Sequence, residues 1–362
     1  MMGAIPAPLR QVIDDARWAP SGDNEQPWRF EVLGPRELLV HGHDTRHHCV
    51  YDLRGEASLL ALGALLETIQ IAATKHGWST SATLRPLLQP EHPIFEIHFE
   101  PYSAPVNPLA EFVRRRAVQR RPMSTRPLTQ SEKQELECSV GPGFSVRWFE
   151  GVRGRWDCAA LMFHNARLRL TMPEGYAVHS KVIEWGAEYS VDRVPDRALG
   201  VDSLSLAFMK MAMKSWKRVH FANRYLAGTW LPRLQMELIP GLACGAHAVI
   251  VRQHPAEQPS EFIDAGRAVQ RFWLTATRLS LWQQPEMTPL IFSRYFRQGT
   301  QFSKVARCQA QAATIDANLR QLLGENADHA VWMGRLGKGP APQARSTRRP
   351  LADLVIGQTS VD

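Results

Sequence analysis

The sequence predicts an α+β fold in which one unit occurs twice. The apolar helix patterns at 57–76 and 260–279 can be aligned so that Gly63 meets Gly266, Ile71 meets Leu274, Ala73 meets Ala276 and Thr74 meets Thr277. Both are long and apolar around much of their circumference, as deeply buried helices are. Each carries a glycine midway, which permits another helix to approach closely. Strand-like runs follow each helix: Ser81–Arg85 and Ile94–Phe99 after the first, and Ala330–Leu336 after the second. The second copy is interrupted by an apparent insertion over 176–236. We expect domains at 1–105 and 106–362, joined by the proline-bearing connector Pro101 to Pro108.

The elements follow in chain order. An apolar-periodic helix pattern leads into Arg17-Trp18-Ala19-Pro20-Ser21-Gly22-Asp23-Asn24-Glu25-Gln26-Pro27-Trp28. Pro20 to Asn24 are all turn formers. Pro27 forces an extended exit into Trp28–Leu33, which reads as a strand. Such a turn can present a hydroxyl, backbone N–H groups and two amides to one flat polar ligand. Further on, five arginines crowd Arg114-Arg115-Arg116-Ala117-Val118-Gln119-Arg120-Arg121-Pro122. They repel one another unless an anion or solvent lies between them, and forked guanidinium groups suit phosphate. A solvated basic face or a nucleic-acid patch is the other reading. A third basic cluster is Gly334-Arg335-Leu336-Gly337-Lys338-Gly339-Pro340, then Arg345-Ser346-Thr347-Arg348-Arg349-Pro350-Leu351, with a basic tail as the other reading.

Within the insertion, a helical wheel from Leu204 to Leu226 sets Lys210, Lys214, Lys217, Arg218 and Arg224 on one face. Leu204, Phe208, Met211, Ala212, Val219 and Leu226 fall on the other. A helix like that can lie on a membrane or pack as a lid whose methionines line an adaptable pocket. Trp216 and Trp230 offer flat walls for an aromatic substrate. Cys244, just before a strand-like stretch, is either a core cysteine or a residue approaching a cofactor.

Bulk properties bound the function classes. The chain has 362 residues, 44% hydrophobic and 22% charged, with a net charge of +8. The charge suits nucleic acid, anionic lipid or a phosphate-bearing ligand, but no nucleic-acid motif accompanies it. No apolar run reaches the roughly 18 residues needed to cross a bilayer. The start, Met1 to Pro8, lacks the pattern of a signal peptide, so a cytoplasmic location is expected. The five cysteines are scattered without a CxxC pair, which argues against disulfides and structural zinc. His41, His43, His47 and His48 read as a strand end or loop rather than a metal site. No Ser-His-Asp order, P-loop or GxGxxG occurs.

The run at 20–28 resembles the Pro-Ser-x-x-Asn-x-Gln-Pro-Trp motif of the nitroreductase-like flavoproteins, which bind FMN. The resemblance implies a nitroreductase-like fold. It also implies that Ser21, Asn24 and Gln26 face the isoalloxazine ring, with Pro20 and Gly22 shaping the backbone. Asp23 and Glu25 are polar candidates beside the ring. The 114–122 segment is similar to the family's phosphate-gripping arginine start, which nominates Arg115, Arg116 and Arg120. Ala117 and Gln119 depart from that pattern, so weaker flavin binding is expected. The C-terminal segment resembles the family's Lys/Arg-Arg-Pro stretch and nominates Arg348 and Arg349.

Members of that family are normally homodimers, so a tandem chain implies an intramolecular pseudo-dimer with a helical lid, alone or paired with a second copy. The position in the second half matched to Pro20–Asn24 is Asn223–Ala227, which carries no such loop, so one complete FMN site is expected. The implied activity passes electrons from a donor such as NAD(P)H to a small electron-poor or aromatic molecule. Alternatives are a flavin-holding protein with little reductase activity, or a dehydrogenase or oxidase of a peptide-like or natural-product substrate. A binding module driven by the +8 charge is a further one. No metal, nucleic-acid partner or membrane span is expected, and no acid or base is nominated.

Overall fold

The computed structural model describes residues 5–86 and 89–357. Of the stretch read for a signal peptide, residues 1–4 lie outside them. The protein mixes helix and sheet. The first unit runs α1 (Ala7–Ala16), β1 (Trp28–Gly34), β2 (Glu37–Gly42), α2 (Glu56–Ala73), β3 (Trp78–Leu84) and β4 (Ile94–Pro101). Its strands form an antiparallel sheet in the order β1-β2-β4-β3. Helical spacing buries Leu9, Val12, Ile13 and Ala16 on one face of α1. Alternation buries Trp28 and Phe30 on β1. The carboxylate of Asp52 starts α2 by accepting from the Ala57 and Ser58 N–H groups at 2.8 and 3.3 Å.

The second unit opens with α3 (Gln130–Val140) and β5 (Phe144–Phe149). A capping box between Thr129 and Glu132 fixes the start of α3. A long insertion follows: α4 (Gly151–Thr171), α5 (Pro173–Val182), β6 (Ile183–Glu184), β7 (Tyr189–Ser190), β8 (Val194–Pro195), α6 (Ser203–Ala212), α7 (Trp216–Tyr225), α8 (Trp230–Arg233) and α9 (Ile239–Leu242). The unit resumes with β9 (Ala246–Arg252), α10 (Pro259–Arg278), β10 (Trp282–Pro285), α11 (Thr288–Arg297), α12 (Ala306–Leu323) and β11 (Ala330–Gly337). Its antiparallel sheet runs β5-β9-β11-β10. With the insertions set aside, both units read helix, strand, strand, helix, strand, strand. In both, the first strand pairs the second, the second the fourth, and the fourth the third.

This order corrects one expected correspondence. The loop between α1 and β1 has its counterpart between α3 and β5, at Gly141–Gly143, and not at Asn223–Ala227. The counterpart is only three residues long, so it cannot form a comparable cradle. Leu204–Leu226 is likewise not one helix. It breaks between α6 and α7, where the Ser215 hydroxyl accepts from the Arg218 N–H and starts a new helix.

The halves meet where α2 crosses α10. A Cβ on Gly63 would lie 2.0 Å from the Ile263 carbonyl oxygen, and one on Gly266 would lie 2.1 Å from that of Leu60. The two contacts mirror each other, each glycine resting on the carbonyl three residues before the other. Beyond the crossing, Gln270 donates to the Thr68 hydroxyl at 2.9 Å, and Arg271 pairs with Glu67 at 2.9 Å. Ile71 and Leu274 then share one small core with Phe112 and Val113. The helices thus run side by side in the same direction. The stretch 56–76 is long and apolar enough to cross a membrane by length and composition, but 72% of its apolar 18-residue window is buried in the protein.

Two segments cross between the sheets. After β4, the chain reaches the second sheet, where Val118 bridges Gln283 of β10. After β11, the chain passes β12 (Arg345–Ser346), which pairs with β7, then α13 (Leu351–Leu354). It ends against the first sheet, where Ile356 N–H donates to the Phe30 carbonyl at 2.7 Å.

The crossing predicts a measurable cost. Gly63→Ala gains about 1 kcal/mol of helix propensity, but it forces the helices apart and should destabilise the chain net by about 1–3 kcal/mol in urea unfolding. Gly266→Ala should do the same. The double variant should cost clearly less than the sum, because one separation relieves both clashes.

Candidate functional site

Between the halves lies a cavity of about 480 Å³, within the range of small-molecule sites. Its walls come from the loop after α1, the start of α2, the segment 116–120, α10, the β10–α11 turn, β11, the C-terminal segment and the insertion.

The loop wall is held in an unusual backbone conformation. Asp23, Asn24 and Gln26 all have positive φ, at 50°, 66° and 53°. Asp and Asn tolerate this region, whereas Gln there is uncommon. Such conformations persist only where the surroundings enforce them, and Gln26 supplies the enforcement. Its side-chain amide donates to the carbonyls of Val191 (2.8 Å) and Asn24 (3.0 Å), and its Oε1 accepts from the Arg349 N–H at 3.0 Å. The Ser21 hydroxyl accepts from the Gln26 N–H at 3.0 Å. Pro20, Ser21, Gly22, Asp23, Asn24 and Glu25 line the cavity, whereas Gln26 lies behind them. Asn24 is buried, and its Oδ1 has no hydrogen-bond partner.

A second wall gathers cations. Arg116, Arg345 and Arg348 line the cavity, and none forms an ion pair with a carboxylate among the described residues. Their partners are backbone carbonyls. Arg116 donates to Trp18 at 2.9 Å, Arg348 to Ala19 at 2.9 Å, and Arg345 to Arg114 at 3.0 Å. Arg116 lies over the Trp273 ring at 4.5 Å, and Arg345 over Trp18 at 5.2 Å. Nε of Arg116 and of Arg345 is buried without a partner. Burial, and then the other two charges, pushes Arg116 well below the usual arginine range; burial and its neighbours bring Arg348 to about 9. The cluster is therefore short of negative charge.

Arg120 also lines the cavity, near Asp23. Burial brings Arg120 down to about 10, with Asp23 opposing the shift. Burial raises Asp23 despite Arg120. Two nominated arginines sit elsewhere. Arg115 is exposed, over the Phe112 ring at 4.9 Å. Arg349 pairs with Asp192 at 3.3 Å. Gln119, which departs from the arginine pattern, is buried outside the lining and donates to the Pro340 carbonyl at 2.9 Å.

The remaining walls were not foreseen. The Tyr51 hydroxyl and His179 Nε2 share a hydrogen bond at 3.0 Å. Burial, then Arg169, holds His179 near 3, so its ring is neutral. Arg169 pairs with Glu237, which sits in a π-helical turn at Leu234–Leu238. On the β11 side, Glu286 binds Arg335 at 3.0 Å and His247 at 2.7 Å, and His247 Nε2 donates to the Gly241 carbonyl at 2.8 Å. Arg335 also donates to the Arg120 carbonyl at 3.0 Å, which ties the segment carrying Arg116 to β11. Arg335 stands in the strand read at 330–336 and within the third basic cluster, from which only Arg348 and Arg349 were nominated. Arg345 lies within the third basic cluster, and nothing local separates it from Arg349.

Other candidates resolve differently. Met209, Met213 and Met236 of the insertion line the cavity, but Trp216 and Trp230 do not. Trp216 packs on Tyr176, and Trp230 on Phe163. Cys244 is fully buried outside the lining. Among the described residues no group of three or more His, Cys, Asp or Glu is placed to hold a metal.

The His247–Glu286 pair gives the protein a pH signature. Burial alone would lower His247, but Glu286 outweighs it and raises the group to about 10 from 6.5. That stability is complete below about 6.5 and is lost as pH rises towards about 10. The melting temperature should therefore fall across this window in the parent chain, and less steeply in His247→Gln. Equal slopes would contradict the assignment.

No protein-family model matches the chain, and no curated protein matches it. Among solved structures, the crystal structure of the nitroreductase-like family protein from Bacillus cereus is similar to it at a TM-score of 0.34 and 11% identity. The likeness covers 69% of this chain and 95% of that one. A score this low carries no argument, so function rests on the chain's own residues.

Proposed function

We propose that the cavity binds FMN and that the chain is an FMN-dependent oxidoreductase, passing electrons from a donor such as NAD(P)H to a small electron-poor or aromatic substrate. The observation that carries this is the cavity wall of Arg116, Arg345 and Arg348: three guanidinium groups, two buried and that of Arg345 half-buried, with no carboxylate partner among the described residues. Such a wall fits a dianionic phosphate monoester, and the unpartnered Nε groups of Arg116 and Arg345 are the donors left to meet it. The opposite need, a polar edge for a flat heterocycle, fits the loop Pro20–Asn24. Its buried Asn24 Oδ1 lacks a donor, and its strained backbone is preset. The motif's resemblance to flavin-binding loops points the same way.

FMN, when bound, supplies two-electron chemistry at its ring. The chain's own residues have simpler tasks. Arg116, Arg345 and Arg348 would hold the phosphate. Ser21, Asn24 and the backbone of Gly22 would hold the ring edge. Gln26 positions that loop against the insertion and the C-terminal segment. Asp23, its carboxyl raised by burial, can hold a proton at the cavity face. The methionines of the insertion would exclude water from the substrate's side. We read the halves, 1–105 and 106–362, as an intramolecular pseudo-dimer with one flavin between them.

One observation favours a second reading. The insertion contributes Met209, Met213 and Met236 to the wall, and a well-covered ring would suit a flavin-holding protein. Rapid bleaching of the bound flavin by NADH or NADPH supports the enzyme; no bleaching by either supports the holder.

The phosphate assignment predicts discrimination between ligands. Hydrogen bonds to charged groups contribute roughly 1.5–3 kcal/mol each, so Arg345→Ala with Arg348→Ala should weaken FMN binding about 100-fold or more. Riboflavin, which lacks the phosphate, should bind the parent chain weakly and be little affected by the same substitutions. Equal affinity for the two ligands, in parent and variant alike, would contradict the assignment.

A further inference from the structure

Half of the exposed large apolar side chains among the described residues fall within residues 203–239. Leu204 is 81% exposed and Tyr225 64%, with Phe208, Met211, Phe221 and Trp230 also exposed. The helical wheel placed most of the apolar side chains here on a packing face; the structure turns several of them outward. On α6, Leu204, Ala207, Phe208 and Met211 share an outward arc of about 100° at 3.6 residues per turn. Met209 and Met213 point the other way, into the cavity wall. On α7, Lys217, Arg218, Phe221, Arg224 and Tyr225 are all exposed and share an arc of about 120°. On α7, apolar rings and cations therefore lie on the same face.

The charge of this region is one-sided. From Ser203 to Met236 there is no Asp or Glu. Lys210, Lys214, Lys217, Arg218 and Arg224 are exposed, and none forms an ion pair among the described residues. The acidic residues at its ends are occupied. Asp202 caps α6, and Glu237 is buried against Arg169. The hairpin is anchored from beneath: Asn223 donates to the Leu170 carbonyl at 2.7 Å, and Tyr176 to that of Met213 at 3.1 Å. Its outer face is left without a partner.

We propose that the face formed by α6, α7 and α8 docks on an anionic lipid surface. Exposed Leu, Phe, Tyr and Trp insert at the level where the headgroups meet the acyl chains, and the lysines and arginines meet the lipid phosphates. Charge complementarity selects this occupant. A second copy of the chain would bring the same five cations against their equals. The α6 helix would then separate the lipid surface from the cavity by its own thickness, which suits a lipid-soluble electron acceptor.

The test is cosedimentation of the full chain with vesicles of phosphatidylcholine alone and of phosphatidylcholine with phosphatidylglycerol. Binding should require the anionic lipid and weaken as salt rises. Lys210→Glu, Lys214→Glu, Lys217→Glu and Arg218→Glu together should reduce it at least about tenfold. Phe208→Ser with Tyr225→Ser should also reduce it, with circular dichroism and FMN binding as checks on folding. No binding to anionic vesicles at low salt would overturn the proposal. So would a quadruple variant that binds as the parent does, or a parent dimer that Phe208→Ser with Tyr225→Ser converts to monomer while vesicle binding is unchanged.

Discussion

The backbone contact between Gly63 and Gly266 sets the rest of the structure. Each glycine rests against a carbonyl of the opposite helix, at a separation that no side chain permits. That contact lets α2 and α10 lie side by side and brings two similar sheets together about one helical pair. The cavity follows from it. The start of α2 and the middle of α10 both line it, so its floor belongs to neither half alone. The crossing segments complete the enclosure. Residues 116–120 approach from the end of the first unit, and 344–348 from the end of the second.

Electrostatics then gives the cavity two unlike walls. At one, Arg116, Arg345 and Arg348 are held by carbonyls and aromatic rings, which orient a guanidinium without neutralising it. At the other, charges are balanced by design of the pairing: Arg169 with Glu237, and Arg335 with both Glu286 and the Arg120 carbonyl. A buried cation without a counter-ion is costly, so an excess confined to one wall marks where a negative ligand would be stabilising. The strained loop at 23–26 adds a second cost at the same site, offset by the three hydrogen bonds of Gln26.

Much of this was legible in the sequence, for physical reasons that can be named. The two buried helices showed themselves because burial all round leaves few polar residues, and a small residue at midpoint has few other uses. Trp28–Leu33 and Ile94–Phe99 showed themselves by alternation. β10 was missed because four residues reading Trp-Gln-Gln-Pro have no apolar period; its register comes from β11 and from Val118. The counterpart of the loop at 20–24 was misplaced because similarity was projected from α10 backwards through an insertion that sequence cannot measure. The division among arginines was also illegible. Arg345 and Arg349 look alike in the chain, and only the pairing of β12 with β7 turns one to the cavity and leaves the other to Asp192.

The most direct measurement is the visible absorption spectrum of the purified chain, with the released chromophore identified and counted. The account predicts a flavin spectrum and about one FMN per chain, or uptake of one FMN by a colourless preparation, because one cavity is shared by two halves. A colourless chain that refuses added FMN would contradict it and leave the arginine wall to some other phosphate ligand.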